Sequence, residues 1–254
     1  TINHEKEIEF LQKSLYDDIG YVIDHLILDD IAAKIQDHRL KGVVGKSPLC
    51  IVLFGSPGNG KSMLSQIIYG RYNANKMTYK EAEEKFGKAR YDFQNFSSTA
   101  SAAQIVGAPK GLQGGNGEMY DKLAKCPDGV HCIEEFHRAD AAVLNTLLGI
   151  CQSGGVISSN QEGSEGKGSN PPISTSNAIF IFTCNLLEQE LEQQNESYIE
   201  SNKDDLMTMA NQRIKEACGE YGGALADRLN FFQDVGSKNC QMTTKMRTQK
   251  PMNK

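Results

Sequence analysis

The chain has 254 residues, 39% of them apolar, and a formal net charge of −5. That is enough apolar material to bury the core of one large or two small globular domains. The acidic balance and the lack of a basic block argue against a protein built mainly to coat nucleic acid, and no apolar run approaches the roughly 18 residues that span a bilayer.

The opening stretch TINHEKEIEF lacks the charged-then-apolar pattern of a secretory signal, so the sequence reads as cytoplasmic, and its start at Thr1 suggests a processed or truncated chain. Seven cysteines, at 50, 126, 132, 151, 184, 218 and 240, are odd in number and show no CxxC spacing. Buried, reduced thiols are expected.

Residues 5–40 place Ile8, Leu11, Leu15, Ile31 and Ile35 at helical spacing, which predicts two or three helices. The expected organisation is a helical unit over 1–40, a core over 41–235 and a tail over 236–254. Continuous apolar runs at 49–54, 129–133 and 178–184 suit strands buried on both faces of a parallel sheet. Helical patterns lie between them at 61–72, 79–87, 116–126 and 139–152, the last running toward Gly154, a helix-ending residue. Strand and helix in alternation predict an α/β fold. The polar stretch 158–177 is longer than most connections inside a domain, and reads either as a disordered insertion or as a functional loop. One or two polar helices follow over 186–219, and the final residues, from Gln241, form a frayed basic tail.

Between the first strand and its helix stands GSPGNGKS, residues 55–62, which fits G-x-x-x-x-G-K-[ST] in the right context. Its glycines let backbone N–H groups turn inward around phosphate oxygens, and the helix that follows offers the positive end of its dipole. Lys61 can reach the outer phosphates and the Ser62 hydroxyl can ligate Mg²⁺. Gly55, Ser56, Pro57, Gly58, Asn59, Gly60, Lys61, Ser62 and Met63 are therefore the candidate nucleotide-binding residues. Such a loop needs a carboxylate on a neighbouring strand. VHCIEEF supplies Glu134 and Glu135 at a strand end, facing the crevice where doubly wound sheets bind ligands. Zinc readings of the same region fail on spacing. His131 and His137 are six apart where H-E-x-x-H requires four, and the strand neighbours His131 and Cys132 point to opposite faces.

The run from Val106 to Ile157, beginning VGAPKGLQGGNGEMYDKL and containing CIEEFHRADAAVLNTLL, is followed by NAIFIFTCN. In that order it resembles the AAA+ module of the Clp family of ATP-driven unfoldases and disaggregases, in particular the second ATPase ring of its two-ring members. The likeness extends from about residue 20 to about residue 235. It implies a P-loop NTPase fold: the AAA+ large subdomain, a parallel sheet flanked by helices.

Matched residue by residue, Gly55, Gly60, Lys61 and Ser62 stand in the Walker A loop. Glu134 and Glu135 stand in the Walker B pair, Glu134 as a metal-binding acid and Glu135 as the acid that activates water. Asn185, after TC, takes the place of the sensor 1 residue that orients that water. Arg228 in ALADRLNFF takes the place of the arginine finger, which reaches the γ-phosphate of a neighbouring subunit. Val22 and Ile23 fall where the family packs adenine. The segment aligned with the family's pore loop is GAPKGLQGG, which makes Lys110, Gly111, Leu112, Gln113 and Gly114 the candidate substrate-binding residues.

Three positions depart from the family. Glu134 replaces the usual Walker B Asp, Leu112 replaces the pore-loop aromatic, and only 19 residues follow residue 235, so the resemblance implies that the helical lid is absent. The implied activity is hydrolysis of ATP with Mg²⁺ by a ring, expected to be a hexamer, that acts on a polypeptide substrate or adaptor. Two alternatives stand beside it: a nucleotide-dependent scaffold with little threading, and a helicase-type motor on DNA or RNA, the less favoured given the GAPKG segment and the acidic balance.

Overall fold

Three runs of consecutive apolar residues become the centre of a parallel sheet, because only a strand covered on both faces can bury every side chain it carries. The computed structural model describes residues 9, 25–41, 46–55, 57–58, 60–73, 91–92, 101–107, 115–159, 170–187, 198 and 201–233. Within these, helix α1 (His25–Leu40) leads to strand β1 (Leu49–Phe54) and helix α2 (Lys61–Tyr72). The short strand β2 (Tyr91–Asp92), helix α3 (Ser101–Val106) and helix α4 (Glu118–Lys125) come next. Strand β3 (Val130–Glu134) is followed by a 3₁₀ turn (Phe136–Arg138), helix α5 (Ala141–Ile150) and a small hairpin of β4 (Val156–Ile157) and β5 (Ile173–Ser174). The described chain ends with β6 (Ile179–Cys184), α6 (Lys203–Ala217), α7 (Gly222–Ala226) and β7 (Asn230–Gln233).

The five-stranded sheet has the order β2-β3-β6-β1-β7, and every pairing is parallel. Strand β1 therefore lies between β6 and β7, neither of them its neighbour in sequence. Connections on either side run away from its carboxyl end, where open α/β sheets bind ligands. The period of two divides the central strands cleanly. Cys50, Val52 and Phe54 of β1 join Phe180, Phe182 and Cys184 of β6 in one core, closed by α4, α5, α6 and α7. Leu49, Ile51 and Leu53 join Ile179 and Ile181 in the other, closed by Ile31 and Ile35 of α1 and by Leu64, Ile67 and Ile68 of α2. The result is a three-layer sandwich, as the alternation of strands and helices predicts.

Three features differ from the sequence-based expectation. Strands β2 and β7 sit at the two sheet edges and carry polar residues, so no continuous apolar run announces them. The polar stretch 158–177 contains β5, which pairs antiparallel with β4 and makes its last residues part of a hairpin. Cys126 is half-buried, whereas Cys50, Cys132, Cys151, Cys184 and Cys218 are buried, and all six are free thiols. The helix expected at 79–87, the tail at 236–254 and the segment where a lid would follow lie outside the described residues. Among the described residues, no helix is long and apolar enough to cross a membrane.

His131 and Cys132 do face opposite sides. The imidazole packs against Phe180 at 5.7 Å between ring centres, while the thiol belongs to the core on the other face. Its Nε2 lies 2.9 Å from the Cys126 carbonyl, an acceptor, so this nitrogen carries the proton. Burial pushes the His131 pKa down to about 4. Protonation is thus disfavoured in the folded chain and normal in the unfolded one, so His131 contributes no penalty above about pH 6.5 and opposes folding increasingly as the pH falls from there toward 4. At pH 5 the expected cost is about 2 kcal/mol. Urea midpoints at pH 7 and pH 5 should differ by less in His131→Gln than in wild type; an equal difference would remove this residue as the cause.

Candidate active site

The register of the three central strands brings the predicted residues to one sheet end. Phe54 of β1 pairs with Cys184 of β6, and Thr183 of β6 pairs with Glu134 of β3. Gly55, Asn185 and Glu135, each the residue after its strand, therefore emerge side by side, with adjacent strands about 4.8 Å apart. Electrostatics supports the same grouping. Burial raises the Cys184 thiol to about 12, and the charges of Lys61, which opposes the rise, and Glu135, which adds to it, both act on that one sulfur.

The phosphate loop leaves β1 through three glycines with positive φ: Gly55 at 142°, Gly58 at 82° and Gly60 at 85°. Side-chain-bearing residues resist these angles, which is why glycine stands there. Gly60 caps α2 without a side chain, and the first intrahelical bond is donated by Leu64 N to Gly60 O at 2.9 Å. The N–H groups of Lys61, Ser62 and Met63 belong to the first turn and have no partner inside the helix. Lys61 is buried and donates from Nζ to the Gly55 carbonyl at 2.9 Å, which folds the ammonium back over its own loop. Ser62 is exposed on the first turn, Met63 packs against the α1–α2 core, and Pro57 and Gly58 are exposed. An uncapped helix start beside a buried ammonium is the donor set of an anion site, and it fits a phosphate chain.

At the neighbouring strand end both acids are buried. Glu135 adopts the left-handed conformation, φ 53° and ψ 37°, which costs a residue other than glycine about 1–3 kcal/mol and persists only when its surroundings enforce it. The enforcing contacts are visible. Glu135 N donates to Thr183 O at 2.9 Å, Arg138 N donates to Glu135 O at 3.0 Å, and Phe136 is locked edge-on against Phe182 with ring centres 5.1 Å apart. The bend turns the Glu135 carboxylate out of the strand. Its buried Oε2 lies 3.1 Å from Arg138 Nε and 3.8 Å from His137 Nε2. Burial, and then the charge of Arg138, push the His137 pKa down to about 4, leaving the guanidinium as the cation of this trio at neutral pH. Among the described residues no group of three or more His, Cys, Asp or Glu gathers as a metal site. One carboxylate and one hydroxyl, Glu134 and Ser62, are nonetheless what Mg²⁺ uses when phosphates supply most of its other ligands.

Arg228 is not part of this grouping. It precedes β7, whose Asn230 pairs with Ile51, so it lies near the amino end of β1. There its charge reaches Cys50, and the guanidinium donates to the Ala224 carbonyl one helical turn back. From Cys50 to Gly55 is five strand residues, roughly 16 Å. Val22, Ile23, Ser56, Asn59 and the run Lys110, Gly111, Leu112, Gln113, Gly114 lie outside the described residues.

The two ends of that last segment are described. Gly107 and Gly117 both have positive φ and press together, a Cβ on Gly117 colliding with the backbone of Ile105, Val106 and Gly107. Beside them Asn116 forms a polar junction. It donates to Asp121 Oδ1 at 3.2 Å, accepts from Asn170 Nδ2 at 2.7 Å, and receives the Ser159 hydroxyl on its carbonyl at 2.8 Å. Neither Asn116 nor Arg138 stands out from sequence, since a single Asn or Arg in a polar stretch carries no signal of its own partner.

Comparison with solved structures agrees with this architecture. A Saccharomyces cerevisiae Hsp104–ADP complex matches with a TM-score of 0.68 and 20% identity, over 98% of this chain and 39% of that one. A closed-state cryo-EM reconstruction of Hsp104 with ATPγS and FITC-casein matches with a TM-score of 0.63 and 18% identity, over 91% of this chain and 36% of that one. The chain thus spans less than two-fifths of those chains. A search of curated protein sequences gave no match. The family model described as AAA domain (Cdc48 subfamily) matches residues 46–229, which take in the phosphate loop, both acids, Asn185 and Arg228. The chain therefore belongs to the AAA domain family, Cdc48 subfamily.

Proposed function

We propose that this chain is an ATP-hydrolysing module that works as a ring of identical copies and remodels a polypeptide substrate. The observation that carries the reading is the division of the predicted residues between the two ends of one sheet. Lys61, Glu134, Glu135 and Asn185 share the carboxyl end, and Arg228 stands at the amino end. Lys61 and the α2 start bind the phosphates of ATP, Asn185 orients the attacking water, and Glu135 takes its proton. Ser62 and Glu134 are the residues that hold Mg²⁺, which when bound neutralises phosphate charge. Too far from its own site, Arg228 serves the nucleotide of a second copy. Lys110, Gly111, Leu112, Gln113 and Gly114 contact the polypeptide; support for this comes from the resemblance of their segment to a pore loop, and from Hsp104, a similar fold seen with casein.

The test is ATP turnover measured alone, with an unfolded polypeptide, and with single-stranded DNA, using Lys61→Ala as the blank. Turnover well above the blank and raised by the polypeptide is expected. Turnover equal to the blank would remove the ATPase, and stimulation by DNA alone would replace the polypeptide with nucleic acid.

A further inference from the structure

Ion pairs between two exposed residues contribute little, because water screens both charges. The pair between Arg138 and Glu135 is of another kind. The Glu135 side chain is only 10% exposed, and its Oε2 is buried against a guanidinium whose own side chain is 53% exposed. The two stand three positions apart on a tight turn, and the backbone bond from Arg138 N to Glu135 O fixes their spacing. The same turn forces Glu135 into its left-handed conformation, so strand geometry alone does not set the direction of the carboxylate. One carboxylate oxygen, Oε2, thus faces the guanidinium at 3.1 Å.

We propose that Arg138 is a positioning residue that holds the Glu135 carboxylate, through Oε2, in the orientation from which it activates water. This rests on the reading of Glu135 as the base. Arg138 acts through Glu135 and not on nucleotide, so its loss changes how well a bound complex reacts and leaves binding alone. Misplacing a reacting group by about 1 Å costs up to roughly 10²-fold in rate.

The experiment measures kcat and KM for ATP in wild type, Arg138→Ala, Arg138→Gln and Arg138→Lys, each also combined with Glu135→Gln, together with the melting temperature of every variant. Expected for Arg138→Ala and Arg138→Gln is a kcat lowered by about 10- to 100-fold, an unchanged KM and an unchanged melting temperature. Arg138→Lys should recover part of the rate, since it restores a cation beside Oε2. On the Glu135→Gln background, removing Arg138 should change nothing further. An unchanged kcat, an equal loss on both backgrounds, or a loss that tracks the melting temperature in both neutral variants would overturn the proposal. Equal turnover by wild type and Glu135→Gln would instead overturn the assignment of the base, whatever Arg138 does.

Discussion

An Arg228→Ala chain is expected to hydrolyse ATP about 10³- to 10⁵-fold more slowly than wild type while binding nucleotide with unchanged affinity. Geometry gives the reason for separating the two effects. Arg228 lies near Cys50, at the opposite end of β1 from Gly55, and its guanidinium donates to the Ala224 carbonyl of its own helix. It lies far from the phosphate loop of the same chain, so the proposed role requires contact between copies. Mixing makes the point testable. Lys61→Ala chains keep Arg228 but lose the site, and Arg228→Ala chains keep the site but lose the arginine. Each is expected to be inactive alone, and a mixture should recover turnover wherever the first type abuts the second. If the mixture stays as inactive as its parts while both variants still assemble, Arg228 does not act between copies.

Glu135→Gln is expected to slow hydrolysis by about 10²- to 10⁴-fold, the usual worth of a positioned general base. The amide matches the carboxylate in shape and can still face Arg138, so the strained turn and the bond from Glu135 N to Thr183 O should survive. Nucleotide affinity should therefore hold, and bound ATP should persist over times that wild type needs to clear it. Single-turnover chemistry checks the rate, and binding of a fluorescent ATP analogue checks the affinity. A variant that hydrolyses at the wild-type rate would remove Glu135 from the chemistry, and one that fails to bind would make it a structural residue.

Much of this fold can be read without coordinates because its central strands are covered on both sides. Leu49–Phe54 and Ile179–Cys184 have no exposed face, so each announces itself as an unbroken apolar run. Edge strands lack that constraint, and β7, Asn-Phe-Phe-Gln, has no such run; its pairing with Ile51–Phe54 is what reveals it. The phosphate loop was legible for a chemical reason: glycine spacing, a Lys and a Ser are all required by one anion, and few other uses need all three. Glu135 was legible as an acid at a strand end, but its partner was not. Arg138 reaches it only because the chain bends into the left-handed region at Glu135, a conformation that sequence gives no hint of outside glycine and asparagine. Asn116 was silent for a related reason, since its partners Ser159 and Asn170 are 43 and 54 residues away.

The Asn116 junction also has a structural meaning. Gly107 and Gly117 meet in a tight neck, and Asn116 beside it bonds to both Ser159 and Asn170. From Asn170 the backbone runs through β5 into β6, the strand that ends beside Glu135 and Asn185, while Thr175 anchors the hairpin to the end of α5 by donating to Ile150 O at 2.6 Å. Through a side-chain amide and a hydroxyl the neck is joined to the hairpin that leads into β6, the strand that ends beside Glu135 and Asn185.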